Sequence, residues 1–182
     1  MGKVYDDITP EIAGWIQQQP LFFLATAPLS AAGHVNCSPK GLDTLRILGP
    51  RHVAYFDLTG SGAETIAHVR ENGRIVFMFC AFGGPPKIVR LHGSAEVVTE
   101  RSPKWAEFRA LFPGYAGVRS VIHAEITRVS DSCGFGVPRL EFVEERDTLL
   151  RLAESHGPEG AREYQRLKNT RSIDGLPSLD LD

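Results

Sequence analysis

The sequence predicts a mainly β protein: an antiparallel barrel of six strands, with helices at its edges and a helical extension at its C-terminus. Three observations predict it. Short apolar or alternating runs recur at residues 21–27, 35–38, 52–58, 74–82, 87–98 and 118–129. Most of the connections between them are too short for the crossover that parallel neighbours need. After residue 140 or so the period-two patterns stop and helical spacing takes over, which divides the chain into a barrel domain, residues 1–140, and an extension, 141–182.

The elements follow in order. Thr9 and Pro10 suit the N-cap and first position of a helix whose Ile12, Trp15 and Ile16 share a face, and Pro20 ends it. Residues 21–27 form a compact aromatic run suited to a buried strand, and a turn cluster at 28–33 leads to a second strand at 35–38, a hairpin pattern. After the third strand, Thr59-Gly60-Ser61-Gly62 opens a helix from about residue 63 to 72, with Ser61 and Glu64 at capping-box spacing and Gly73 at the left-handed C-cap. Residues 74–82 are a fourth strand. The fifth, 87–98, alternates cleanly: Val89, Leu91, Gly93, Ala95 and Val97 on one side, Arg90, His92, Ser94 and Glu96 on the other. Ser102-Pro103 starts a short helix with Trp105, Phe108, Leu111 and Phe112 along one side, and 118–129 is the sixth strand. In the extension, Asp147 caps a helix that stops at Gly157, a second runs from Pro158 to about 168, and the last residues are polar and irregular.

Composition excludes several classes. Lys plus Arg is 20 and Asp plus Glu is 22, a net charge of −2, which does not suit a dedicated nucleic-acid binder. No basic cluster exceeds two residues and no apolar run approaches membrane-spanning length, so no membrane partner is expected. The three cysteines, Cys37, Cys80 and Cys133, lie far apart and odd in number, which with the absence of a signal-like N-terminus points to the reducing cytoplasm. No histidine pair has metal-ligand spacing and no nucleophile elbow occurs.

Two places can hold an anion. Thr59-Gly60-Ser61-Gly62 brings hydroxyls and unpaired N–H groups to a helix N-terminus, although a strand-to-helix turn needs small residues in any case. The corner Asn36-Cys37-Ser38-Pro39-Lys40 presents Asn, Ser and a cation together, and Arg90 on the fifth strand is a second possible cation. Taken alone, Lys40 reads as a solvated turn lysine and Arg90 as a strand arginine paired with a carboxylate such as Glu96. His92 is the one candidate proton donor.

In this order, Phe22-Phe23-Leu24-Ala25-Thr26-Ala27, Val35-Asn36-Cys37-Ser38-Pro39-Lys40-Gly41, Ala54-Tyr55-Phe56-Asp57 with Thr59-Gly60-Ser61-Gly62, Glu71-Asn72-Gly73-Arg74-Ile75 and Arg90-Leu91-His92-Gly93-Ser94-Ala95-Glu96 resemble the pyridoxamine 5'-phosphate oxidase-like family of flavin-binding split barrels over about residues 8–130. The resemblance implies a six-stranded split barrel, a homodimer, and flavin mononucleotide (FMN) at the subunit interface. It implies phosphate contacts from Lys40, Ser61 and Thr65, with Asn36, Cys37 and Ser38 beside the ring; Thr59 and Arg90 join the candidate set from the reading above. It implies a flavin-dependent oxidoreductase acting on a small molecule. The alternatives are a non-catalytic flavin- or haem-binding module and a deazaflavin (F420)-dependent reductase. The chain departs from the family oxidases in carrying Val35 where they have an arginine and Glu64-Thr65 where they have Arg-Lys, and it lacks their C-terminal Trp and paired arginines. Pyridoxamine phosphate itself is therefore not the expected substrate.

Overall fold

The structure is a computed structural model and describes residues 2–181. Eight strands form one antiparallel sheet: β1 (Val4–Tyr5), β2 (Phe22–Thr26), β3 (Asn36–Lys40), β4 (Leu45–Gly49), β5 (His52–Leu58), β6 (Arg74–Cys80), β7 (Ile88–Val98) and β8 (Val118–Ser132). The hydrogen-bonded order is β3-β2-β6-β7-β8-β5-β4, with β1 paired to β8. β3 and β4 are thus the two free edges of that path, yet only residues 41–44 join them in sequence. A link of four residues spans at most about 18 Å, so the sheet must curl until its edges approach. That closure without edge pairing makes the barrel a split one.

Six of the eight strands match the expected ones. The two additional strands are β1, only two residues long, and β4, whose Leu45-Arg46-Ile47-Leu48-Gly49 has no clean alternation. Pairing with β5 makes β4 a strand, through a register that shifts between Ile47 and Gly49. The β2–β3 hairpin forms as expected, from Phe22 opposite Lys40 to Thr26 opposite Asn36.

The long strands bend to serve the barrel. β7 pairs with β6 through its first half and with β8 along its whole length, and the register against β8 shifts between His92 and Gly93. A Cβ placed on Gly93 would collide with the Glu125 carbonyl oxygen, so the close approach at this shift requires glycine.

The barrel interior holds Leu24, Phe77, Val89, Leu91 and Ile122, all buried, and is plugged by Ile12 and Ile16 of α1 (Pro10–Gln17). Thr9 caps α1 as expected, its hydroxyl accepting from the Ile12 N–H at 3.2 Å. A second apolar cluster lies outside the barrel wall. There Phe56, Leu58 and Val121 pack against Phe108 of α3 (Trp105–Arg109) and Phe112, the rings of Phe56 and Phe112 stacking 4.7 Å apart. β5 is therefore covered on both faces, which explains why 53–58 reads as a continuous apolar run broken only by Asp57.

α2 (Glu64–Asn72) ends at Gly73, whose φ of +73° is the expected left-handed cap. Its N-terminus differs from expectation. Ala63 is the N-cap and no side chain among the described residues caps it, because the helix begins at Glu64, three residues after Ser61. The Glu64 carboxylate instead accepts from the Ile173 N–H at 3.2 Å.

α4 (Thr148–Lys168) is broken at Gly157, whose φ of +65° and ψ of 179° separate two half-helices just before Pro158. Asp147 does not cap it through its side chain; it forms an i,i+4 ion pair with Arg151 at 2.8 Å. The second half and the residues after it are tied to the 59–63 loop. Gln165 donates to the Thr59 hydroxyl (2.7 Å), Asn169 to the Gly60 carbonyl (2.9 Å) and Ser178 to the Ala63 carbonyl (3.0 Å). The extension thus packs on its own barrel. No helix among the described residues is long and apolar enough to cross a membrane.

Candidate functional site

The two anion-binding segments meet. A cavity of about 750 Å³ is lined by Asn36, Ser38 and Lys40 of β3 and by Ser61 and Thr65 at the start of α2. The hairpin register brings them together: β3 lies at the sheet edge, and α2 packs against β2 beside it. Alternation along β3 turns Asn36, Ser38 and Lys40 to the cavity and leaves Cys37 exposed on the other side.

Asn36 organises the wall. Its amide donates to the hydroxyls of Thr26 and Thr65, each at 3.1 Å, and its carbonyl oxygen accepts from the Ser38 hydroxyl at 3.0 Å. Thr26 in turn contacts Nδ1 of the buried His68 at 2.9 Å, whose Nε2 has no partner among the described residues. Burial pushes His68 down from its ordinary range. This chain of side chains fixes the rotamers of groups that would face a ligand.

Lys40 is one of three cationic side chains lining the cavity, with Arg119 and Arg146. Its ammonium sits 5.4 Å from the centroid of the Tyr55 ring, and among the described residues no carboxylate lies within ion-pair distance. Burial pushes its pKa down.

Beneath it lies a pair that sequence reasoning missed. Asp57, fully buried, accepts from Arg119 Nε at 2.8 Å and Nη2 at 3.2 Å, and from the Ser120 hydroxyl at 3.2 Å. Arg119 also donates to the Gly62 carbonyl at 2.7 Å and lines the cavity. Burial pushes the Asp57 carboxyl up, but Arg119, Lys40 and the hydrogen bonds outweigh it and hold the pKa below the ordinary value. Tyr55, buried beside Asp57, is pushed well up, first by burial and then by that carboxylate. Asp57 was the one signal in the sequence: a charge inside an otherwise apolar strand needs a partner. Its partner, 62 residues on, was not legible.

Four candidates stand elsewhere. Thr59 donates to the Gly117 carbonyl at 2.6 Å and faces α4 rather than Lys40. Arg90 lies on β7, two strands away from β2 and three from β3, and donates to the Ser132 hydroxyl at 3.0 Å. Glu96 is not its partner; it binds Lys104 and His123. Cys37 faces away, as above. His92 also lies on β7, with Nδ1 buried and unpartnered, and does not line the cavity. Among the described residues no cluster of three or more His, Cys, Asp or Glu side chains is placed to hold a metal ion.

An antiparallel split barrel with a cavity between its β3 edge and the start of α2 defines a recognisable class. The family model described as pyridoxamine 5'-phosphate oxidase matches residues 8–133. The pyridoxamine 5'-phosphate oxidase family protein ustO of Aspergillus flavus is 40% identical over 192 residues, covering 96% of this chain and 77% of that protein. This chain belongs to the pyridoxamine 5'-phosphate oxidase family. Solved structures share the fold. HupZ of Group A Streptococcus is 24% identical with a TM-score of 0.54, covering 67% of this chain and 91% of that one. A Lactobacillus delbrueckii protein provisionally named a pyridoxamine 5'-phosphate oxidase is 20% identical with a TM-score of 0.53, covering 69% and 94%.

Proposed function

We propose that this chain binds FMN in the Lys40 cavity, at an interface between two copies, and serves as an oxidoreductase on a small molecule. The observation that carries the reading is the convergence of Lys40, Ser38, Asn36, Ser61 and Thr65 on one cavity. The donor set fits a phosphate monoester. It offers one ammonium without a carboxylate partner among the described residues, three hydroxyls, and Arg119, which spends three of its five N–H bonds inside the chain. Three of the carboxylates nearby are engaged. Glu64 accepts from Ile173, Glu145 accepts from the Leu42 N–H at 3.3 Å, and Asp57 is neutralised by Arg119.

When bound, flavin supplies hydride and single-electron transfer. The chain supplies the rest. Lys40 and the hydroxyls hold the phosphate, the Asp57–Arg119 pair fixes the floor beneath Lys40, and Asn36 sets the orientation of Ser38 and Thr65. Residues 140–143 support the assembly reading: Leu140, Phe142 and Val143 are more than half exposed, and Phe142 lines the cavity. A second copy seated there covers apolar surface and closes the cavity together.

The test is the absorption spectrum of the purified protein, with the bound species identified by mass. FMN at one per chain is expected. A colourless protein that takes up neither FMN nor F420 sinks the reading. A second reading, binding without turnover, rests on the absence of any His or Cys among the residues lining the cavity. Bound flavin that no nicotinamide donor reduces is its signature.

A further inference from the structure

A second, smaller pocket adjoins the first. Its volume is about 140 Å³, and it lies between the two half-helices of α4 and the 59–61 loop. The kink at Gly157 creates it. Leu149, Leu152 and Ala153 come from the first half-helix, Ala161 and Tyr164 from the second. The second half is clamped to the loop by the Gln165 and Asn169 hydrogen bonds, at 2.7 and 2.9 Å, so that wall is rigid. Leu149 and Leu152 stand 38% and 49% exposed at the mouth, apolar surface left open by the described residues. Gly60, Ser61 and Leu149 line this pocket and the Lys40 cavity alike, so the two spaces share a wall.

We infer that this pocket is the substrate-recognition site and that it takes a single aromatic ring carried by the substrate. Size comes first: a cavity of roughly 150 Å³ with aliphatic walls accepts benzene, and 140 Å³ matches one ring more closely than a fused ring system or an acyl chain. Lining comes second. Leu149, Leu152, Ala153 and Ala161 give the wall aliphatic surface, and the Tyr164 and His156 rings offer edge and face contacts. Placement comes third. A ring seated here lies against Gly60, Ser61 and Leu149, which also line the larger cavity, so its substituent is close to the region assigned above to the cofactor. The inference rests on the flavin reading only for that orientation.

The test is methyl NMR of flavin-free protein titrated with benzyl alcohol as the probe, then repeated after saturation with FMN. Saturable shifts confined to Leu149, Leu152, Ala153 and Ala161 are expected, and they should persist with FMN present. Ala161→Met fills the pocket and should weaken benzyl alcohol by about tenfold or more. Leu152→Ala, at a half-exposed site that does not threaten folding, should shift preference several-fold toward naphthalenemethanol. Absence of shifts at these methyls, indifference to both substitutions, or displacement of benzyl alcohol by FMN each overturns the inference. If benzyl alcohol binds as described and FMN does not bind at all, the ring pocket stands and the flavin assignment falls.

Discussion

Replacing Lys40 by Met separates two effects that usually travel together. The substitution keeps the aliphatic bulk over Tyr55 and removes only the ammonium. A charge-assisted contact contributes about 1.5–3 kcal/mol, so affinity for FMN should fall roughly tenfold to 150-fold. Riboflavin, which lacks the phosphate, should lose far less. The apoprotein should not lose stability. Lys40 has no carboxylate partner among the described residues, and burial already disfavours its charged form, as its lowered pKa shows. Its desolvation cost disappears with the charge, so the unliganded melting temperature stays level or rises. The same reasoning fixes a pH dependence. Phosphate affinity should decline as pH rises through the lowered Lys40 value, and again on the acid side as the phosphate takes up its second proton near about pH 6. The assay is fluorescence titration of both ligands, in parallel with thermal melts. Equal losses for FMN and riboflavin, or an unchanged FMN affinity, would refute the phosphate role of Lys40.

The remaining predictions concern the scaffold. Asp57→Asn leaves the Arg119 guanidinium buried without its counter-charge and should cost about 3–5 kcal/mol in denaturant unfolding. Because the Asp57 pKa is depressed below its ordinary value of 3.8, the pair's contribution is complete above that value and is lost as pH falls through the folded one; acid titration of wild type against the Asn variant reads the difference. Gly93→Ala drives a Cβ into the Glu125 carbonyl and should destabilise by about 3 kcal/mol or more, visible as a lowered melting temperature. Asn169→Ala removes the donor to the Gly60 carbonyl, and amide exchange of residues 59–64 should quicken while the barrel strands keep their protection.

Local physics was legible in the order of residues. Thr9 before Pro10, the glycine after Asn72, the break at Gly157 and the period-two runs each state a backbone preference that neighbours alone decide. Six strands and an antiparallel barrel could be anticipated from them, while the split barrel and the meeting of the Lys40 corner with the Ser61 loop were expected only from the family resemblance. Other features depend on partners distant in the chain. β4 is a strand because β5 lies beside it, and Ser61 is free of capping duty because the helix starts at Glu64, whose carboxylate is drawn to Ile173. Arg119 reaches the site only because β8 pairs with β5 in a register that sets Ser120 opposite Asp57. Arg90, chemically as suitable, is carried away to β7 by the same sheet. Residue types settle what a segment can do; the pairing of strands and the packing of the extension decide which groups share a cavity, because charge and hydrogen bonding act over a few ångströms and sequence distance sets no such scale.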